Sequence, residues 1–262
     1  MKIKIITINC FDSPLSPKRT DRIDHLVSEI IKLDADIICF QELIFLKRVK
    51  RISKSFERLG YYSFFNPGGK INRGGLLFVS KYPIVSSEYI KFNSQGTSIS
   101  FQLTDRFLKK GYQKIRLEIE GKIVTVINTH LVSLYKTVSS KEKGVLLKQF
   151  SELLNNLNLE KEKVIVAGDF NISFTDSMYQ QFEEKTNLYD PLRGEEIITV
   201  SKENTQRKNF YKIRKDSRLD YILLSKDLKD ISHKVILKDL YQLKRKNIHL
   251  SDHFGLMMEA KD

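Results

Sequence analysis

Residues 114–131 read KIRLEIEGKIVTVINTHL, and residues 164–171 read VIVAGDFN. The first stretch holds two β-branched runs, Lys114 to Glu120 and Ile123 to Asn128, joined by Gly121-Lys122. Two such runs around a glycine-containing pair of residues predict a β-hairpin. Between the stretches, Val145, Leu146, Phe150, Leu153 and Leu154 recur at helical spacing and predict a helix over 141–157. Val164 to Ala167 is short and fully apolar, as a buried strand is. Strands and helices therefore alternate, but a hairpin interrupts the alternation. That argues against a purely parallel doubly wound sheet and for mixed sheets with helices packed outside.

The same pattern extends outward. Ile3 to Asn9 reads as a strand. Ser16-Pro17 and Thr20 give helix-start signals for an amphipathic helix over Asp21 to Leu33, with Ile23, Leu26, Val27, Ile30 and Ile31 on one face. Asp36 to Phe40 is a buried strand and Leu43 to Leu59 a second helix. Tyr61 to Phe65 and Gly75 to Ser80 are strands joined by a turn over Asn66 to Lys70. Leu219 to Leu224 and Phe254 to Glu259 are the last clear strands, and Leu192 to Lys215 is a long polar loop. No composition break marks a linker, so residues 1–262 are expected to form one domain.

Lys+Arg number 45 against Asp+Glu 32, a net charge of +13. This balance favours polyanionic partners: nucleic acid, an anionic membrane surface or phosphorylated molecules. Two cysteines, Cys10 and Cys39, exclude a disulfide framework or a cysteine metal cluster and are expected to pack in the core. No apolar run is long enough to span a bilayer and no signal peptide is evident, so the cytoplasm is the expected location.

Polar residues stand where apolar strands end: Asn9, Gln41-Glu42, Asn128-Thr129-His130 and Asp169-Phe170-Asn171. Alone, each has an ordinary role as cap, turn or packed histidine. Together they supply carboxylates, amides and a histidine to sheet edges, the usual way to build a site. Asp220 is a carboxylate at the start of a strongly apolar strand, and its burial demands a partner. His253, before the last strand, is the natural one. His249 and His253 are four apart but lie in a loop, so a zinc pair is not expected. Gly68-Gly69 and Gly74-Gly75 lack a following Gly-Lys-Ser/Thr and read as turn glycines rather than a phosphate cradle.

At these residues the chain resembles the endonuclease/exonuclease/phosphatase superfamily. The motifs run in the family's order through residues 36–42, 73–84, 128–131, 168–171, 218–222 and 251–253. The resemblance implies a four-layer α/β/β/α sandwich of two mixed β-sheets, the deoxyribonuclease I-like fold. It implies a metal-dependent phosphoester hydrolase using Mg²⁺, with Mn²⁺ as the alternative. Glu42, Asn9 and Asp252 would hold the metal and His253 would be the general base, oriented by Asp220. Asp169 and Asn171 would orient water and phosphoryl oxygens. His130, Asn171 and Arg73 would contact the substrate.

The chemistry wants this set. An anionic phosphodiester repels hydroxide, so a cation must neutralise it and a base near neutral pH must activate water. The absence of tryptophan disfavours the abasic-site endonuclease branch. The stretch Asp105 to Tyr112, with its Lys-Gly pair, is most similar to the neutral sphingomyelinase branch. Expected substrates are therefore a lipid head group or other small phosphodiester, with DNA or RNA as the alternative. A non-catalytic binding module ranks last, because the catalytic set is intact. Lys47, Arg48, Lys50, Arg51 and Lys54, with Arg207, Lys208, Lys212, Arg214 and Lys215, would form a basic rim or a solvated face.

Overall fold

The computed structural model describes residues 1–14, 16, 19–97, 102–134, 139–157, 162–208 and 215–262, apart from the side chains of residues 102, 104, 181–183 and 208. Pro17, Lys212 and Arg214 therefore lie outside the described residues. The first half runs β1 (Lys2–Asn9), α1 (Arg19–Lys32), β2 (Ile37–Gln41), α2 (Leu46–Glu57), β3 (Tyr62–Gly68), β4 (Ile71–Ser80), β5 (Ile84–Lys91), α3 (Gln102–Leu108), β6 (Gly111–Ile119) and β7 (Lys122–His130). The second runs α4 (Ser140–Leu157), β8 (Lys163–Asp169), α5 (Ser177–Lys185), β9 (Leu188–Tyr189), α6 (Thr205–Lys208), β10 (Asp220–Ser225), β11 (Lys229–Ile236), β12 (Tyr241–Leu243), β13 (Lys246–Ile248) and β14 (Gly255–Lys261).

Two six-stranded mixed sheets carry the fold. One has the order β11-β14-β1-β2-β4-β3, the other β5-β6-β7-β8-β10-β9. Strand alternation decides their packing. Ile3, Ile5, Ile37, Cys39 and Phe78 of the first sheet meet Ile115, Leu117, Val124, Val126, Ile165 and Ile222 of the second in a shared core. The opposite faces go outward. Ile6, Ile8, Ile38 and Phe40 pack on Ile23, Leu26, Ile30, Val49, Ile52 and Phe56 of α1 and α2. Tyr112, Ile127, Val166 and Tyr221 pack on Leu146, Phe150, Leu153 and Met178 of α4 and α5. The result is the expected α/β/β/α sandwich. Cys10 and Cys39 are buried in these cores.

Toward one end of the sandwich, the dry core gives way to a buried amide ladder. Gln41 Nε2 donates to Thr7 Oγ1 at 3.1 Å and to Asn128 Oδ1 at 2.9 Å, and Asn128 Nδ2 donates to Gln113 Oε1 at 2.9 Å. The ladder joins the two sheets one or two residues before Asn9, Glu42 and His130. A fully satisfied buried network fixes the relative placement of what it joins.

Several expectations are corrected. Residues 66–68 belong to β3 rather than to the turn, which is confined to Gly69-Lys70. Gly74 and Gly75 are not turn residues but lie inside β4 with φ of 71° and 69°. They let the strand bend against Glu42: a Cβ on Gly75 would stand 3.4 Å from Glu42 Cα. The second helix starts at Leu46, not Leu43, because the Asp12 carboxylate takes the Ile44 N–H at 3.1 Å and holds that segment as a loop. The polar stretch after Leu192 contains α6. Strand β5 was not anticipated, because its exposed face carries too few apolar residues to signal.

Gly168 supplies a test of close packing. Its φ is 155°, and a Cβ there would lie 2.0 Å from Thr129 O on the neighbouring strand. Gly168→Ala is expected to cost roughly 3–5 kcal/mol or prevent folding. Gly144→Ala, in open space on α4, is expected to gain about 0.5–1 kcal/mol. Urea unfolding of both variants checks this. A Gly168→Ala protein as stable as the parent would contradict the packing described.

Candidate active site

Sheet register assembles half of the site. β7 and β8 pair in parallel with His130 opposite Asp169, and β8 pairs antiparallel with β10 with Asp169 opposite Asp220. One row across three strands thus carries a histidine and two carboxylates. The other sheet contributes Asn9 from the end of β1, and Glu42 follows the end of β2. Glu42 has φ of 55°, a left-handed conformation uncommon for a residue with a side chain. It is held there by the Leu43 N–H, which donates to Gly75 O at 2.9 Å. Such strain gathers at functional sites.

Asn9 joins the sheets. Its Nδ2 donates to Glu42 Oε1 at 3.1 Å and to Asp169 Oδ2 at 3.0 Å. Its Oδ1 accepts the Phe11 N–H at 3.0 Å. The amide therefore bridges two carboxylates with its donor end, while its oxygen is engaged by the backbone. His130 Nε2 lies 3.5 Å from Asp169 Oδ2 and 3.9 Å from Glu42 Oε1. Asn171, with φ of 52°, donates its side-chain amide to Leu131 O at 3.0 Å, tying the end of β8 to the end of β7.

His253 closes the site from the first sheet. Its Nδ1 is 2.8 Å from Asp220 Oδ2, and its Nε2 is 3.7 Å from Asp169 Oδ2. Asp220 is fully buried, and this is the partner its position demanded. The loop before β14 is pinned by Ser251 Oγ, which donates to Asn9 O at 2.5 Å. It is pinned again by buried Arg22, whose guanidinium donates to Cys10 O at 2.9 Å and also reaches Phe11 O and Leu250 O. His249 Nδ1 accepts the Thr205 N–H at 3.0 Å. It lies in a loop, as the sequence predicted.

The electrostatics are those of crowded carboxylates. Burial and the neighbouring Asp252 push the Glu42 carboxyl up to about 7. Burial, partly offset by His253, lifts Asp169 to about 6. Burial works against a charged His253, but Asp220 and Asp169 outweigh it and raise the imidazole to about 9, with Arg207 opposing. Burial and Lys110 hold His130 well below the ordinary histidine value, so its ring is neutral.

These residues fit a hard divalent cation. The fit rests on two observations: Glu42 is raised by burial and by a second carboxylate, and the buried Asp252 Oδ1 has no hydrogen-bond partner among the described residues. A cation among Glu42, Asp252 and their neighbours would answer both. The tightest group of metal-type side chains is Asp169, Asp220 and His253, with ligating atoms within 4.8 Å of one another. Its geometry is that of an imidazole between two carboxylates, with Nδ1 already bonded to Asp220.

Eight of the nine residues anticipated from sequence meet at this rim. Arg73 is exposed, with its side chain over Gly68 in the neighbouring strand. Two residues were not anticipated as members. Lys110 is buried, 3.4 Å from Asp105 Oδ1, and donates to Leu131 O at 3.4 Å, beside His130. The Lys-Gly pair at 110–111 was its sequence signal. Arg207 had only been grouped with a basic rim. It reaches His253 Nε2 at 2.6 Å and Asp252 Oδ2 at 3.3 Å. No spacing in the sequence could have placed it there. Of the basic run on α2, Arg48 is engaged by Asp12 and Arg51 by Asp24, so that part of the run is structural.

Comparison with known proteins places the chain in a family and matches its fold. The chain is similar to the inositol phosphosphingolipids phospholipase C of Schizosaccharomyces pombe, 26% identical over 97% of this chain and 67% of that protein. It is similar to sphingomyelinase C 2 of Leptospira interrogans, 25% identical over 86% of this chain and 40% of that protein. It thus spans two thirds of the first relative and well under half of the second. Among solved structures, beta toxin from Staphylococcus aureus, a mutant with bound magnesium ions, superimposes with a TM-score of 0.79 at 20% identity over 100% of both chains. The model of the Endonuclease/Exonuclease/phosphatase family matches residues 6–253, from β1 to the histidine that closes the site, and the chain belongs to that family.

Proposed function

We propose that this protein is a divalent-metal-dependent phosphodiesterase acting on the head group of a lipid, with His253 as general base. The observation that carries the reading is His253 itself: Nδ1 is held by Asp220 at 2.8 Å while Nε2 faces the Asp169 side of the rim. That is a base with its tautomer set by a carboxylate. Nε2 takes a proton from water as the water oxygen bonds to phosphorus. The P–O bond to the leaving group breaks, and its electron pair leaves on that oxygen, which is protonated by solvent. Asp169 and Asn171, fixed by register and by Leu131 O, orient the water and phosphoryl oxygens. Neutral His130 donates a hydrogen bond to charge developing on the phosphoryl group. Mg²⁺ or Mn²⁺ held at Glu42 and Asp252 would neutralise the phosphoryl charge and stabilise the leaving oxygen. Asn9 then orients Glu42 and Asp169 through its amide.

The lipid reading is supported by the named relatives and by α3. Asp105 and Leu108 face inward, while Phe107 is 69% and Leu103 39% exposed, flanked by exposed Arg106 and Lys109. An apolar stripe edged by cations beside the site suits an anionic lipid surface. Among the described residues no helix is long and apolar enough to cross a membrane. The net charge of +13 favours the second reading, a nuclease.

Purified protein with Mg²⁺ is offered sphingomyelin vesicles, a soluble bis-aryl phosphodiester, plasmid DNA and single-stranded RNA. Release of phosphorylated head group from vesicles, abolished by chelator, is the expected result. Nucleic-acid cleavage that falls steeply with salt, without lipid turnover, would replace the lipid reading. Metal addition should also raise the melting temperature more at pH 8 than at pH 5.5, since a Glu42 lifted to about 7 must lose its proton to bind a cation. Equal shifts at both pH values, measured by scanning calorimetry, would count against Glu42 as ligand.

A further inference from the structure

We propose that Arg207 is a substrate-contacting residue, parked on the base in the free protein and transferred to a phosphoryl oxygen when substrate binds. The inference rests on the phosphodiesterase reading above. The base must accept a proton from water at Nε2, and the Arg207 guanidinium lies on that atom at 2.6 Å. A guanidinium has donors only, so this contact belongs to the neutral imidazole, the same form whose Nε2 lone pair the attacking water needs, and the two compete for it. The side chain must therefore leave Nε2 for the reaction to occur.

Its attachment allows a short move. Residues 204–207 clamp the chain that leads to the base. Asn204 Nδ2 donates to Ser251 O at 3.0 Å, Gln206 Nε2 to His249 O at 2.9 Å, and Arg207 Nε to Asp252 O at 2.8 Å. The Arg207 side chain is 12% exposed, so it sits at the mouth rather than in the core. Rotation about the side-chain Cγ–Cδ and Cδ–Nε bonds swings the planar guanidinium off Nε2 and carries its Nη groups toward the group the water attacks. The chemistry that draws it is a phosphoryl dianion or diester, which arginine binds through paired donors. The Nε bond to Asp252 O and the ion pair with Asp252 Oδ2 at 3.3 Å would suffice for a structural role. The contact to Nε2 is what a structural role leaves unexplained.

Arg207→Ala and Arg207→Lys test this, with circular dichroism confirming that each folds. Inorganic phosphate is titrated into metal-loaded protein by calorimetry, and kcat and KM are measured on a soluble phosphodiester. The alanine variant is expected to bind phosphate at least tenfold more weakly and to lose roughly 10- to 100-fold in kcat/KM. Lysine, keeping the charge without the paired donors, should recover part of both. Phosphate affinity within twofold of the parent would overturn the proposal, as would an alanine variant faster than the parent, which would make Arg207 a plug only. If the parent hydrolyses no phosphodiester, the function above fails, yet phosphate affinity still decides the role of Arg207.

Discussion

His253→Ala is expected to lower kcat on a soluble phosphodiester by roughly 10² to 10⁴, the range a positioned base supplies. The fold should survive, because the His253 loop is held independently by Ser251 on Asn9 and by Arg22 on Leu250. Asp220→Asn separates the base from its orienter. Removing that carboxylate withdraws a main influence raising the imidazole toward 9. The acid limb of the rate profile should therefore move to lower pH while the maximal rate falls, because the tautomer is no longer fixed. The same charge has a stability signature. A histidine raised in the folded state contributes stability that is full below about 6.5 and is lost as pH rises through about 9. In the metal-free Asp220→Asn protein that dependence should weaken. Parent-level activity in His253→Ala, measured over the full pH range, would remove the assigned base.

Glu42→Gln is the second large effect. The amide keeps the shape and the Asn9 contact but removes the charge that would bind a cation. Loss of several kcal/mol of charge stabilisation corresponds to about 10² to 10³ in rate. Metal should then give little thermal stabilisation. The metal-free comparison has the opposite sign. Because Glu42 is raised from 4.5 to about 7, the folded protein holds its proton more tightly than the unfolded chain. Stability of the metal-free parent should therefore fall as pH rises through that window, and Glu42→Gln should make the fall shallower, leaving the part due to Asp169 and His253. A variant that keeps both its activity and its metal-induced stabilisation would show that the cation is held elsewhere.

The sequence by itself determined the layers and most of the site's membership. Period-two runs such as Ile3-Ile5 against Ile6-Ile8 assign each strand a face, and the 3.6-residue pattern of Leu146, Phe150 and Leu153 does the same for α4. These are local signals, and the sandwich follows from burying them. Chemistry also marked Asp220, since a carboxylate in an apolar strand needs a partner. Tertiary structure alone decided how the pieces meet. His130, Asp169 and Asp220 form one row because three strands pair in a given register, and register between segments about 40 to 90 residues apart leaves no local trace. Asn9 bridges two carboxylates through its amide nitrogen while its oxygen accepts the Phe11 N–H, a pairing that only the meeting of the two sheets creates. Glu42 reaches the rim through a left-handed turn that glycine at position 75 permits. Arg207 lies on the base because a clamp of side chains holds residues 204–207 against 249–252, a pairing of one short helical turn with a loop that has no period to betray it.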